Sequence, residues 1–154
     1  MVIVSGGQTG VDRAALDAAR QVGLPRAGWC PRGRWAEDGV IPATYPLVET
    51  PDAAPAQRTA WNVRDSNATL VLVEDALLGG TALTVQYALA WRRPCALVTL
   101  GLPDAPAIIT EWLGRLRPAR LNIAGPRESE QPGVYARSHA LLTQVLTLVK
   151  VALR

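Results

Sequence analysis

The sequence predicts an α/β protein: a single Rossmann-like three-layer domain spanning residues 1–154, with a mainly parallel sheet of about five or more strands and helices on both faces. Three observations predict it. Short apolar runs alternate along the chain with segments of helical spacing. The stretch Thr69-Leu70-Val71-Leu72-Val73 is apolar at four consecutive positions, as in a strand buried on both faces. Two glycine loops, Ser5-Gly6-Gly7-Gln8-Thr9-Gly10 and Gly79-Gly80-Thr81, each stand between a strand and a helix.

Val2-Ile3-Val4 forms the first strand and ends in glycines. Val11, Ala15, Ala18 and Val22 then recur at helical spacing until Gly23-Leu24-Pro25 stops the helix. Thr9-Gly10-Val11-Asp12 matches the Ser/Thr-x-x-Asp/Glu capping pattern, which puts Thr9 at the N-cap. A second short strand is expected around Ala27-Trp29. Residues 31–57 lose periodicity and collect Pro31, Gly33, Gly39, Pro42, Pro46, Pro51 and Pro55, the composition of an ordered functional loop. A helix over about Ala56–Asp65 leads into the 69–73 strand. Beyond Gly79-Gly80-Thr81 the pattern repeats, with a helix to Trp91, a strand at Ala96–Leu100, a helix near Ala105–Leu116 and a strand at Ala119–Ile123. A closing helix carries Leu142, Val145, Leu146 and Val149 on one face. Strands separated by helices in this way join in parallel through right-handed crossovers.

Composition narrows the function classes. Hydrophobic residues make up 49% and charged residues 19% of the 154, an ordinary globular balance. The 16 basic residues are interspersed with 13 acidic ones, and the net charge of +3 forms no run of like charge, which argues against nucleic acid as a partner. Cys30 and Cys95 show neither metal-ligand spacing nor a CxxC motif, so reduced thiols and no metal site are expected. No apolar stretch approaches membrane-spanning length, and the chain opens on a strand rather than a signal segment. The expected location is the cytoplasm, with no membrane partner.

Ser5, Gly6, Gly7, Gln8, Thr9 and Gly10 have the character of a phosphate seat, since glycines let backbone approach a ligand and a helix start favours an anion. The same residues also suit a tight turn with a good cap. Gly79, Gly80, Thr81 and Thr84 repeat the arrangement after the 69–73 strand. If the strand order reverses between that strand and the first one, the two loops flank one crevice. In the long loop, Arg32 or Arg34 is a candidate for pairing with phosphate, Trp35 for stacking on a ring, and Glu37 or Asp38 for accepting from polar ring edges. Arg58 and Arg64 stand six apart on one helix, so only one faces the crevice; Arg58 is assigned that place and Arg64 a surface ion pair. His139, the single histidine, lies far from both loops and is read as a surface or capping residue. No catalytic triad assembles from the sequence, so binding without catalysis is expected.

Several segments together resemble the molybdenum-cofactor carrier proteins: Ser5-Gly6-Gly7-Gln8-Thr9-Gly10-Val11-Asp12-Arg13, Gly28-Trp29-Cys30-Pro31, Ala36-Glu37-Asp38-Gly39, Tyr45-Pro46-Leu47, Asn62-Val63-Arg64-Asp65-Ser66, Gly79-Gly80-Thr81 and Leu121 through Ser129. The resemblance covers nearly the whole chain. It implies a Rossmann-like fold, a homo-oligomeric carrier, and a site for molybdopterin, the phosphorylated pterin of the molybdenum cofactor. It further implies hand-over of that ligand to a molybdoenzyme acceptor. More distantly, Arg58 through Thr81 resembles the cytokinin-activating phosphoribohydrolases, also called lysine decarboxylase-like proteins, which act on nucleoside monophosphates. Their Pro-Gly-Gly-x-Gly-Thr-x-x-Glu motif reads here Leu78-Gly79-Gly80-Thr81-Ala82-Leu83-Thr84-Val85-Gln86. A neutral amide at Gln86 cannot supply the carboxylate that such hydrolysis needs, which weakens the hydrolase alternative.

Overall fold

In the computed structural model, which describes residues 1–152, the apolar run becomes β7 (Ala68–Val73), a strand with every residue buried and a parallel partner on each side. Its neighbours are β8 (Cys95–Thr99) and β9 (Arg120–Ala124); beyond β9 come β1 (Val2–Val4) and β2 (Arg26–Ala27). The sheet order is therefore β2-β1-β9-β7-β8, parallel throughout. This is a Rossmann-like α/β fold, as the sequence predicts.

Five helices complete it: α1 (Val11–Gln21), α2 (Pro55–Arg64), α3 (Gly79–Ala90), α4 (Ala105–Leu116) and α5 (Val134–Ala152). α5 packs between α1 and α4, while α2 packs on α3, which gives the three layers. Strand side chains alternate between these layers. Ile3, Leu70, Leu72, Leu121 and Ile123 meet Val11, Ile109, Leu142 and Leu146 in the main core. Each such burial stabilises by about 1.5–3 kcal/mol. Thr69 and Asn122 alternate to the other face, where Asn122 Nδ2 donates to Thr69 Oγ1 at 3.4 Å. In the central strands one side of the sheet is thus apolar and the other partly polar; at the edge, Arg26 shares the face of Ile3.

The connections place a crevice on that polar side. β1 continues through α1 to β2 at one edge, and β7 through α3 to β8 at the other, with β9 between them. Right-handed crossovers running outward in opposite directions put α1 and α3 on opposite faces. The sheet then opens at the carboxyl end of β9, a topological switch point.

Residues 31–57 are ordered, and they are more regular than their composition suggests. β3 (Trp29–Cys30) pairs in parallel with β6 (Val48–Glu49), and β4 (Trp35–Ala36) makes an antiparallel hairpin with β5 (Gly39–Val40). The expected 27–29 strand is split at Gly28 between the main sheet and this small one. Leu16, Cys30, Ala36, Ile41 and Leu47 form a second core under the flap. Arg34 ties the flap together: its guanidinium donates to the carbonyls of Ile41, Leu47, Pro42 and Tyr45 at 2.9–3.1 Å. Among the described residues no helix is long and apolar enough to cross a membrane.

Candidate functional site

α2 begins at Pro55, whose fixed φ suits a first helical turn, and its inward face buries Arg58 and Asn62 one turn apart. Arg58 is only 8% exposed. Its Nη1 donates to the Gly6 carbonyl at 2.9 Å, and it makes no ion pair among the described residues. Asn62 has both ends of its amide bonded to the Trp29 backbone, at 2.8 and 2.9 Å, and so anchors β3.

Opposite Arg58 stands the start of α3. Leu78 is its N-cap and has no side-chain cap. The N–H groups of Gly79, Gly80 and Thr81 find no acceptor among the described residues; the helix's first returning bond is Ala82 N–H to Leu78 O at 3.2 Å. A Cβ added at Gly79 or Gly80 would meet nothing within 4 Å. The Thr81 side chain is 7% exposed, and its hydroxyl has no partner among the described residues. Free donors at a helix start, in open space and on the same cavity as a buried guanidinium, have the chemistry to accept an anion.

The first glycine loop is built differently. Gln8 N–H donates to Asp12 Oδ2 at 3.2 Å, Thr9 N–H to Gln8 Oε1 at 2.9 Å, and Val11 N–H to Pro126 O at 3.2 Å. A Cβ at Gly7 would stand 2.5 Å from Leu47 Cδ1, and one at Gly10 2.4 Å from Pro126 O. These glycines permit protein to pack on protein. The expected Thr9 cap is also corrected: Gly10 is the N-cap, with φ 79°, and no side chain caps α1. Thr9 Oγ1 instead donates to the Glu37 carboxylate and accepts from Glu128 N–H at 3.1 Å.

Between the two loops lies a cavity of about 150 Å³. Of the sequence candidates, Gly6, Gln8, Arg58, Gly80, Thr81 and Thr84 line it, with Trp35 half exposed at its mouth. Gly79 begins the helix that points there. The remaining candidates lie elsewhere. Ser5 is fully buried and donates to Ile123 O at 2.7 Å. Gly7 packs under Leu47. Arg32 is exposed, and Arg34 is occupied by the flap carbonyls. Thr9, Gly10, Glu37 and Asp38 line a second, open hollow. There Glu37 bonds Thr9 and Ser129, and Asp38 pairs with Arg13. Burial would raise the Glu37 carboxyl, but the hydrogen bonds from Ser129 and Thr9 outweigh it and hold the group below its usual range. Arg64 makes the surface ion pair with Asp65 and stacks over Trp61.

Sequence reasoning passed over Asp12 and Asn122, both of which line the cavity. Burial pushes the Asp12 carboxyl above its usual 3.8, against the opposing pull of Arg58. A folded-state value above the unfolded one means that this group's stabilising contribution is complete below the unfolded pKa and is lost as pH rises through the folded one. At neutral pH the buried Asp12 carboxyl therefore contributes less stability than it does in acid. Asp12→Asn is expected to stabilise the fold at pH 7 by roughly 0.5–2 kcal/mol, with the gain shrinking in acid. Thermal melts at pH 4 and pH 7 check this; a lower Tm at pH 7 would refute it.

An open sheet wound in two directions, with a polar cavity at its switch point that carries both arginines and carboxyls, defines a Rossmann-like α/β protein with a candidate ligand site. The chain belongs to the circularly permutated YpsA SLOG family, whose model matches residues 3–146. It is similar to a "Putative molybdenum carrier protein" from Syntrophus aciditrophicus SB, solved by crystallography at 1.45 Å, with 42% identity over 94% of each chain and a TM-score of 0.91. Among curated proteins none matches.

Proposed function

We propose that the chain is a carrier, which holds a phosphorylated small molecule in this cavity without transforming it and whose cargo is the molybdenum cofactor. The observation that carries the reading is Arg58, a buried guanidinium without an ion pair, facing the open start of α3 and the unpartnered Thr81 hydroxyl. Asp12 attracts Arg58 through space but does not bond it, so the guanidinium keeps N–H donors for a phosphate dianion, a charge-assisted pairing that is among the stronger hydrogen bonds. Molybdopterin fits the donor set: its phosphate meets Thr81, the α3 N–H groups and Arg58, while Trp35 offers an indole face to its ring. The name of the Syntrophus protein, "Putative molybdenum carrier protein", supports a molybdenum-related cargo. Cytoplasmic location, homo-oligomeric assembly and hand-over to a molybdoenzyme belong to the same proposal. Mass spectrometry of the small molecules released by denaturing freshly purified protein tests it. A stoichiometric pterin phosphate is expected; a different ligand in stoichiometric amount would refute the cargo.

One observation favours a second reading, hydrolysis of a nucleoside monophosphate. Gln86 is exposed on α3, but Asp12 puts a carboxyl in the cavity beside Arg58, and Glu130, which bonds Arg127, lines it as well. No release of base above blank across a panel of nucleoside monophosphates would dispose of it.

A further inference from the structure

The cavity contains two asparagines in opposite situations. Asn62 is fully engaged by the Trp29 backbone. Asn122, on β9 between β1 and β7, is 3% exposed and makes one long bond, from Nδ2 to Thr69 Oγ1 at 3.4 Å. Its Oδ1 and its second amide hydrogen have no partner among the described residues. That free end lines the cavity, whereas Leu121 and Ile123 on either side of it in the strand are apolar and buried. Nothing in the fold uses the free end of this amide.

A free carbonyl and a free N–H on one planar group match a donor and an acceptor set side by side. That is the edge of a nitrogen heterocycle bearing a lactam or an aminopyrimidine, and asparagine reads a base edge in the same bidentate way. Sugars and inorganic phosphate present no such planar pair. The other groups around the amide do not substitute for it. Thr84 donates its hydroxyl to Gly80 O, which leaves only acceptor capacity, and Arg58 offers only donors. Space permits a ring, since a cavity of about 150 Å³ takes a single six-membered ring such as benzene.

We infer that Asn122 is the specificity-determining residue of the cavity and selects a phosphorylated nitrogen heterocycle through a paired hydrogen bond to its ring edge. This rests on the phosphate seat proposed above. The test titrates four proteins, wild type, Asn122→Ala, Asn122→Leu and Arg58→Ala, by calorimetry with a pterin monophosphate, GMP and ribose 5-phosphate. Wild type is expected to bind at least one ring-bearing probe about ten- to a hundredfold more tightly than ribose 5-phosphate. Both Asn122 variants should lose that preference and keep their affinity for ribose 5-phosphate. The leucine variant fills the same volume, so a cavity left by alanine cannot mimic the result. Equal wild-type affinity for ring and sugar phosphates, or an equal loss for every probe in the Asn122 variants, overturns the inference. In either case, loss of ribose 5-phosphate binding in Arg58→Ala leaves the phosphate seat standing. Wild type that binds no probe overturns both.

Discussion

Arg58→Ala is expected to weaken binding of a phosphorylated ligand by about 2–5 kcal/mol, roughly thirtyfold to several thousandfold, while the protein stays folded. The two effects separate because of where the charge sits. Arg58 gives one hydrogen bond to Gly6 O and has no ion pair among the described residues. Removing it loses one hydrogen bond and the attraction that Arg58 exerts on the buried Asp12 carboxyl, so a modest fall in melting temperature is expected beside the larger loss of binding. Arg58→Lys keeps the charge but loses the planar fork, and intermediate affinity is expected. Calorimetry alongside thermal melting checks both. A variant that binds as tightly as wild type would remove Arg58 from the site.

The largest expected loss of stability comes from Gly28→Ala. The backbone there has φ 151°, and an added Cβ would lie 1.9 Å from Ser5 O, a backbone atom that cannot swing aside. Gly28 sits where the chain leaves the main sheet for the flap, so the clash would push β1 and β3 apart. A cost above about 4 kcal/mol is expected, read as insoluble protein or a steep fall in Tm. Gly80→Ala makes the contrast. Its Cβ meets nothing within 4 Å, and alanine is the better helix former by about 1 kcal/mol. That variant should be at least as stable as wild type yet bind a phosphate ligand more weakly. Normal binding by Gly80→Ala would show that the open space is not used.

Much of the architecture was legible in the sequence, since continuous apolar runs and 3.6-residue spacing are local signals. The run at 69–73 and the closing helix, with Leu142, Val145, Leu146 and Val149 buried on one face, follow directly from such patterns. The crevice was legible conditionally, because two strand-loop-helix units flank one opening only if the sheet reverses, and it does. The division of labour between the glycine loops was not legible. Glycines that admit a ligand and glycines that admit another stretch of protein have the same letters. What tells them apart is the space beside them and the partners of some N–H groups. At the first loop Gln8, Thr9 and Val11 N–H donate to Asp12, Gln8 and Pro126, and a Cβ at Gly7 or Gly10 would strike protein. At the second, Gly79, Gly80 and Thr81 N–H have no acceptor among the described residues, and a Cβ at either glycine meets nothing. Arg34 was hidden for a similar reason, as its four carbonyl acceptors converge only once the flap has closed. Asn122 did leave a signal, a polar residue between Leu121 and Ile123 in a strand otherwise buried in its middle. Asp12 was masked by its match to a capping pattern.

The most direct test of an anion seat at the start of α3 is an amide ¹H–¹⁵N chemical-shift titration of the wild-type protein with inorganic phosphate and then ribose 5-phosphate. Binding there shifts the Gly79, Gly80 and Thr81 amides, whose N–H groups are free, and leaves those of Gln8 and Thr9, already bonded within their own loop, nearly in place. Saturating shifts confined to the Gln8–Thr9 loop, with Gly80 and Thr81 unmoved, would contradict it.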